Sequence, residues 1–411
     1  MDDRGIVIVG AGEAGVRAAF ALREKGYEGS VTLIGDEPHL PYERPPLSKP
    51  VSEAEAVRAI VAGERFAETG IAFKRGQRVA ALRPSEHQLV LEDGEALGYR
   101  RLLLATGATP RQLPIMSACG VVASDRIHML RTVEHAAAIR RYMGEGKRIG
   151  IIGGGFIGLE LAAMGRMLGA AVTLIEVQPR VLMRGVPEKL ALALQVRHAA
   201  EGVELICGVA INAISADSDS VVVTLGDARR IEADILVVGI GAQPNTVLAA
   251  EAGLAIENGI AVDAQLRTSD PDIFAAGDCC SFPVAIYGAR RVRLESWRNA
   301  QEQGSLAATN MQGAGEMFVG IPWFWSDQYD LTLQVAGLAD GAVREVARSL
   351  SPGAEILFHL DGEDRLVAAS GLGPGGAVAR DIRLAEMLIA KAAKPDPGAL
   401  ADPAVKLKSL L

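Results

Sequence analysis

Aromatic residues are scarce in this chain: Phe, Trp and Tyr make up 4% of 411 residues. Cysteine is scarcer still. Four residues (Cys119, Cys207, Cys279 and Cys280) are too few for a disulfide scaffold and form no C-x-x-C pair. Six scattered histidines show no metal-ligand spacing, so no metal is expected and a bound organic cofactor becomes the better expectation. Basic charge is not in excess. A formal net charge of −8 argues against a general nucleic-acid binder, which needs a dominant basic surface. Long apolar runs are missing too, and none reaches the ~18 residues of a membrane span. The start, MDDRGIVIVG, is acidic, and its apolar run is short, unlike a secretory signal. The expectation is a soluble, cytoplasmic protein without membrane or nucleic-acid partners.

Glycine and small apolar residues are abundant: 46 Gly, and 49% apolar residues overall. The length suggests two to three domains at roughly 150 residues each. GIVIV (5–9) reads as a buried parallel strand. GAGEAG follows at once, then the helical spacing of VRAAFALREKGY, then the strand SVTLIGDE closing on Asp36 and Glu37. In such a unit Gly10 permits the tight turn, Gly12 lets backbone approach a pyrophosphate, and Gly15 lets helix pack on strand. Ala14 lies inside the same loop. The helix N-terminus offers free N–H groups to phosphate. An acid about 20 residues on, Asp36, can accept from ribose hydroxyls.

The pattern recurs. KRIGIIGGGFIGLELAAMGRMLGAAVTLIEVQPR holds Gly153, Gly155, Ile157 and Gly158 in register with the first loop and ends its second strand on Glu176. An acid there disfavours a 2′-phosphate, which points to NADH, while nearby Arg180 and Arg184 keep NADPH open. Each copy is followed by alternating strands with polar turns and then by an apolar strand ending in glycine: Gly107 of ATGATP, and Gly239 of VVGIGAQP. Ala105, Thr106 and Gly107 in one copy and Gly241 in the other lie at these strand ends. The fold class is therefore α/β, two Rossmann-like dinucleotide domains with small meanders. Two such domains imply two dinucleotides, or one bound and one exchanging. A further strand, DIFAAGD, ends on Asp278.

The set GAGEAG, ATGATP, GGGFIG and TSDPDIFAAGD resembles the two-dinucleotide flavoprotein disulfide reductase superfamily. PYERPPLSK (41–49) and PWFWSDQYDLTLQVAG (322–337) are similar to the FAD-dependent ferredoxin reductases of oxygenase systems, with apoptosis-inducing factor a more distant relative. The resemblance implies a glutathione-reductase-like arrangement. Residues 1–114 and 241–319 would form the FAD domain, 115–240 the NADH domain, and 320–411 a small α+β domain. It also separates the chain from disulfide reductases, which carry a redox cysteine pair near the flavin. The adjacent Cys279–Cys280 pair reads as packing, with a redox role the alternative.

The resemblance assigns roles. Gly10, Gly12, Ala14, Gly15, Asp36, Val79, Ala105, Thr106, Gly107 and Asp278 would hold FAD, with Asp278 at the ribityl–pyrophosphate region. Arg44 would reach FAD phosphate. Arg131 matches an FAD contact or else makes a helix-end salt bridge. Trp297 would close the rim at the start of a helix whose N-terminus favours anionic flavin, unless it is core packing. Gly153, Gly155, Ile157, Gly158, Glu176, Arg184 and Gly241 would hold NADH. Lys49 and Glu160 resemble the catalytic pair: a lysine beside the flavin ring and the acid flanking nicotinamide. In the last segment, WFWSDQYDLTLQVAG, AVREVARSL and RLVAASGLG read as strands and RDIRLAEMLIAKAAK as an amphipathic helix.

The activity implied is hydride transfer from NADH to FAD, then single-electron transfer to a [2Fe–2S] ferredoxin feeding a cytochrome P450 or a ring-hydroxylating dioxygenase. An acidic ferredoxin needs a basic face. Arg290, Arg291, Arg293 and Arg298 are the densest cluster, and Trp325 could offer an aromatic platform; a solvated charge run and a core tryptophan are the alternatives. Another acceptor (rubredoxin, a quinone, oxygen) and a redox-sensing flavoprotein are the competing activities.

Overall fold

The computed structural model describes residues 4–49, 57–121 and 124–411. The first three residues of the acidic start lie outside that range. Two compact units divide the chain: residues 1–43, 57–109 and 243–322 in one, and residues 44–56, 110–242 and 323–411 in the other.

The first unit is built on a parallel five-stranded sheet in the order Ile273–Ala275, Arg101–Leu104, Ile6–Val9, Val31–Gly35, Ile71–Arg75. Ile6, Val7, Ile8 and Val9 are all buried, so the run has no solvated face and reads as continuous apolar sequence. The antiparallel meander Val79–Arg83, Gln88–Leu91, Ala96–Gly98 follows. The helix Glu13–Glu24, next in chain after the central strand, packs against the helix Trp297–Met311. A Cβ on Gly304 would lie 2.4 Å from the Ala14 carbonyl oxygen, so the crossing depends on a missing side chain. Gly304→Ala is expected to push the helices apart, cost about 1–3 kcal/mol and lower the melting temperature measured by calorimetry.

The second unit repeats the plan. Its parallel sheet runs Glu204–Cys207, Ala171–Glu176, Arg148–Ile152, Ile235–Val238, Ile127–His128, and its meander is Ile211–Ala216, Val221–Leu225, Arg230–Ala233. It also carries a second, antiparallel sheet in the order Trp323–Gln328, Leu331–Gly337, Leu366–Pro374, Ala354–Leu360, Arg344–Ser351. The helix Ala379–Ala390 lies on its middle strands and buries Ile382, Ala385, Leu388 and Ile389 at helical spacing. Among the described residues no helix is long and apolar enough to cross a membrane.

Candidate functional site

The two glycine loops have the same geometry, each within its own unit. Gly10 sits at φ +107°, and a Cβ there would be 2.1 Å from the Ala105 oxygen; Gly153 sits at φ +109°, and its Cβ would be 2.3 Å from the Gly239 oxygen. A Cβ on Gly15 would meet the Gly10 oxygen at 1.9 Å, and one on Gly158 the Gly153 oxygen at 2.0 Å. These four are glycine because backbone occupies the side-chain space. The middle glycines differ. Gly12 (φ −81°, ψ −170°) and Gly155 (φ −82°, ψ −174°) are helix N-caps with no side-chain cap bond. A Cβ on either would meet nothing within 4 Å. Each loop therefore presents unsatisfied helix N–H groups to open space, which is what a pyrophosphate needs.

The acids are held differently. Glu176 Oε2 accepts from the Gly154 N–H at 2.7 Å and Oε1 from the Gln178 N–H at 2.8 Å, which ties the carboxylate to the second loop. Asp36 is exposed and ion-paired with Arg78 at 3.3 Å. Arg180 donates to the Val181 and Leu182 carbonyls at 3.0 Å and to that of Val186 at 3.2 Å, so its guanidinium is already engaged; Arg184 is exposed. Ile157 is 46% exposed, whereas Ala14, its counterpart in the first loop, is buried.

Within the first unit, Ala105 and Gly277 lie against the first loop. The Ala105 N–H donates to the Val9 carbonyl at 2.7 Å. Thr106 donates its hydroxyl to the Asn245 carbonyl at 2.7 Å, and Asn245 returns an amide N–H to the Thr106 carbonyl at 2.8 Å. Gly107 and Gly277 both take positive φ. The Gly277 N–H donates to Gln303 at 2.8 Å, and a Cβ on Gly277 would be 3.1 Å from that of Ala14. Asp278 follows, partly buried, and Val79 opens the meander. The helix from Trp297 begins at Ser296 without a side-chain cap bond. Glu13, in the first turn beyond Gly12, has its carboxyl pushed up by burial and by Glu43, partly offset by the bond from Gln301. Its Oε2 is buried with no partner in the protein, an atom a bound group would satisfy. An orphaned carboxyl oxygen, open N–H groups and a glycine cradle together fit a dinucleotide.

Cys279 and Cys280 are fully buried free thiols. Cys280 Sγ donates to Gln303 at 3.2 Å, Cys279 Sγ faces the Leu104 and Ala276 carbonyls, and burial pushes both thiols up. This is the environment of inert packing cysteines.

In the second unit the short turn Pro45–Ser48 delivers Lys49 to Glu160, at 2.8 Å from Nζ to Oε1. Lys49 Nζ also lies 3.3 Å from Asp327. Ser48 donates to Glu160 Oε2 at 2.5 Å and Ser326 to Oε1 at 2.6 Å. Glu160 stands in the second turn of the helix Phe156–Met167 and is 7% exposed. Burying it without these partners would be costly. Arg140 donates to the Lys49 carbonyl at 2.8 Å, and Arg44 to the Arg131 carbonyl. Arg131 precedes the helix Val133–Arg140, whose N-cap Thr132 forms a capping box with His135. Ser48, Ser326 and Asp327 are site members that sequence reasoning did not assign, although all three stand in the stretches that carried the resemblance.

Trp323 and Trp325 stack at 5.3 Å between ring centroids, half-buried, with Trp325 Nε1 donating to Asp327 at 3.1 Å. The arginine cluster is mostly neutralised. Arg291 pairs with Glu257 at 3.1 Å, Arg293 with Glu295 at 2.6 Å and Arg298 with Glu302 at 2.8 Å, while Arg290 lies over the Tyr287 ring.

Residues 4–304 match the family model described as pyridine nucleotide-disulphide oxidoreductase, and residues 323–411 that described as reductase C-terminal. The chain is 41% identical to the ferredoxin–NAD(+) reductase component of the anthranilate 1,2-dioxygenase system of Burkholderia cepacia, over 98% of each protein. It is 37% identical to the putidaredoxin reductase of Pseudomonas putida, over 99% of this chain and 96% of that protein. In the crystal structure of the covalent putidaredoxin reductase–putidaredoxin complex, a chain 36% identical superposes with a TM-score of 0.93, covering 99% of this chain and 98% of that one. A ferredoxin reductase for the CYP199A2 system from Rhodopseudomonas palustris gives 0.92 at 34% identity, over 98% of this chain and 99% of that one. With both glycine cradles and the final sheet matched, the chain belongs to the pyridine nucleotide-disulphide oxidoreductase family and carries its reductase C-terminal domain.

Proposed function

We propose that the chain is a cytoplasmic FAD-dependent NADH:ferredoxin reductase serving a cytochrome P450 or a ring-hydroxylating dioxygenase. The observation that carries this reading is the pair of glycine cradles with matching backbone geometry in a chain whose full-length relatives are named ferredoxin reductases. FAD, when bound, would supply the chemistry that joins a hydride donor, NADH, to a one-electron acceptor, a [2Fe–2S] ferredoxin. The protein supplies binding and electrostatics.

The loop Gly10–Gly15, with Asp36, Val79, Ala105–Gly107 and Asp278, holds the first dinucleotide; Arg44, Arg131 and Trp297 complete the set. The loop Gly153–Gly158, with Ile157 and Gly241, holds the second. Glu176, fixed by the Gly154 N–H, takes the ribose hydroxyls, and its charge together with the engaged Arg180 favours NADH over NADPH. Lys49 would offset the negative charge a flavin gains on reduction, and Glu160, which holds Lys49 in place, would orient the nicotinamide. Trp325 belongs to the electron exit. The Arg290–Arg298 stretch steers a ferredoxin weakly, since its charges are paired. In this reading the small C-terminal domain begins near residue 320.

The test is direct. The purified protein should be yellow, NADH should bleach it in a stopped-flow instrument, and cytochrome c should be reduced rapidly only when a [2Fe–2S] ferredoxin is added. A protein that cannot be made yellow with FAD, or equal cytochrome c rates with and without any ferredoxin, would refute it.

A further inference from the structure

A line of buried polar groups leads away from Glu160 through the second unit, and its polarity is forced. The Glu160 carboxylate only accepts, so the Ser326 hydroxyl gives it its one proton, at 2.6 Å. Ser326 Oγ then accepts from Gln328 Nε2 at 3.1 Å. That orientation of the amide turns Gln328 Oε1 to His198 Nε2 at 2.9 Å, so Nε2 carries the ring proton. Nδ1 is left as an acceptor, facing the Tyr329 hydroxyl at 3.4 Å. Every donor in the series points towards Glu160. Ser326, Gln328 and His198 are at most 1% exposed, and in so dry a setting such bonds strengthen one another and a missing partner is costly. Ser326 and Gln328 occupy alternate positions of the strand Trp323–Gln328, on the face opposite Trp323, Trp325 and Asp327. His198 stands in the last turn of the helix Glu188–Ala200. Burial lowers its basicity, with the Gln328 bond opposing, and the partners at the two ring nitrogens select one tautomer.

We propose that Ser326, Gln328 and His198 are positioning residues for hydride transfer, holding the Glu160 carboxylate in a single orientation from within the C-terminal sheet and the helix Glu188–Ala200. The proposal rests on Glu160 flanking the nicotinamide. An apolar residue at 328 would fill the same volume without needing partners; the polar series adds a fixed direction for one carboxylate.

The test compares the holoenzyme with its Ser326→Ala, Gln328→Leu, Glu160→Gln and Gln328→Leu/Glu160→Gln forms. NADH-driven flavin bleaching should slow about 10-fold in Ser326→Ala and Gln328→Leu, with the NADH dissociation constant changed less than about 2-fold. The double variant should be no slower than Glu160→Gln alone, because the effect passes through that carboxylate. Imidazole nitrogen NMR should show His198 protonated at Nε2 in the wild type and a tautomer mixture in Gln328→Leu. Unchanged bleaching rates, multiplying effects in the double variant, or a wild-type Nδ1–H ring would each overturn the proposal. If Gln328→Leu does not fold, Ser326→Ala carries the comparison. Failure of NADH to bleach even the wild-type flavin overturns the functional reading instead, and the wild-type tautomer still decides the polarity of the series.

Discussion

Gly155→Asp is expected to leave the protein folded and to raise the KM for NADH by about 100-fold or more, a difference of roughly 3 kcal/mol. The reasoning uses two facts about one residue. Gly155 has the extended dihedrals of a helix N-cap, and a Cβ there meets no atom within 4 Å. An aspartate can adopt that backbone without strain, and its carboxylate can accept from the N2 or N3 N–H, a cap a few tenths of a kcal/mol better than glycine. The same carboxylate then occupies the place of the pyrophosphate and repels it, and like charges brought together at an interface cost several kcal/mol. Stability and binding should move in opposite directions, which separates a ligand cradle from a packing glycine. Calorimetry and steady-state kinetics on one preparation check it. An unchanged KM would mean that the second loop does not carry the nucleotide. The matched change Gly12→Asp should yield folded but colourless protein.

Arg348→Met is expected to cost about 3–5 kcal/mol and to lower the melting temperature by about 10 °C. Arg348 lies on the strand Arg344–Ser351, with 4% of its side chain exposed. Its guanidinium donates to the carbonyls of Val405 at 2.7 Å, Leu400 at 3.1 Å, Pro403 at 3.4 Å and Ala399 at 3.5 Å, beside Asp381 at 3.7 Å. One cation thus gathers the carbonyls of the final segment, which has little regular structure of its own to satisfy them. Methionine keeps the volume but leaves those oxygens and the Asp381 carboxylate without a donor, and orphaned buried acceptors are what make such changes severe. Calorimetry measures the effect directly; a shift under about 2 °C would mean that water satisfies the carbonyls as well as the guanidinium does.

What could be read from the sequence is what lies close together along it. Each glycine loop, its flanking strand and helix and its acid fall within about 30 residues, so periodicity and glycine spacing suffice. The helix from Trp297, both meanders and all of the C-terminal strands except Ala354–Leu360 were legible for the same reason. The polar groups around Glu160 were not. Ser48 and Ser326 stand 112 and 166 residues from it in sequence, and no local pattern marks two serines as partners of one carboxylate. The arginine stretch shows the converse failure. Four cations close in sequence look like a patch, but Glu257, Glu295 and Glu302 neutralise three of them, one through a residue more than 30 positions away.

The packing of the helix Trp297–Met311 on the helix Glu13–Glu24 has a consequence for how the protein comes into being. Glu13 reaches Gln301, and Arg17 reaches Ser305, each across 288 residues of chain. The second loop needs no such distant element to fix its acid, since Gly154 and Glu176 are 22 residues apart. On the ribosome the tie between Gly154 and Glu176 can form soon after its own residues emerge, while the contacts of Glu13 and Arg17 must wait for nearly three quarters of the polypeptide. Contacts of that span are formed late and slowly. The cradle of the first loop is thus completed by a helix made long after the loop itself.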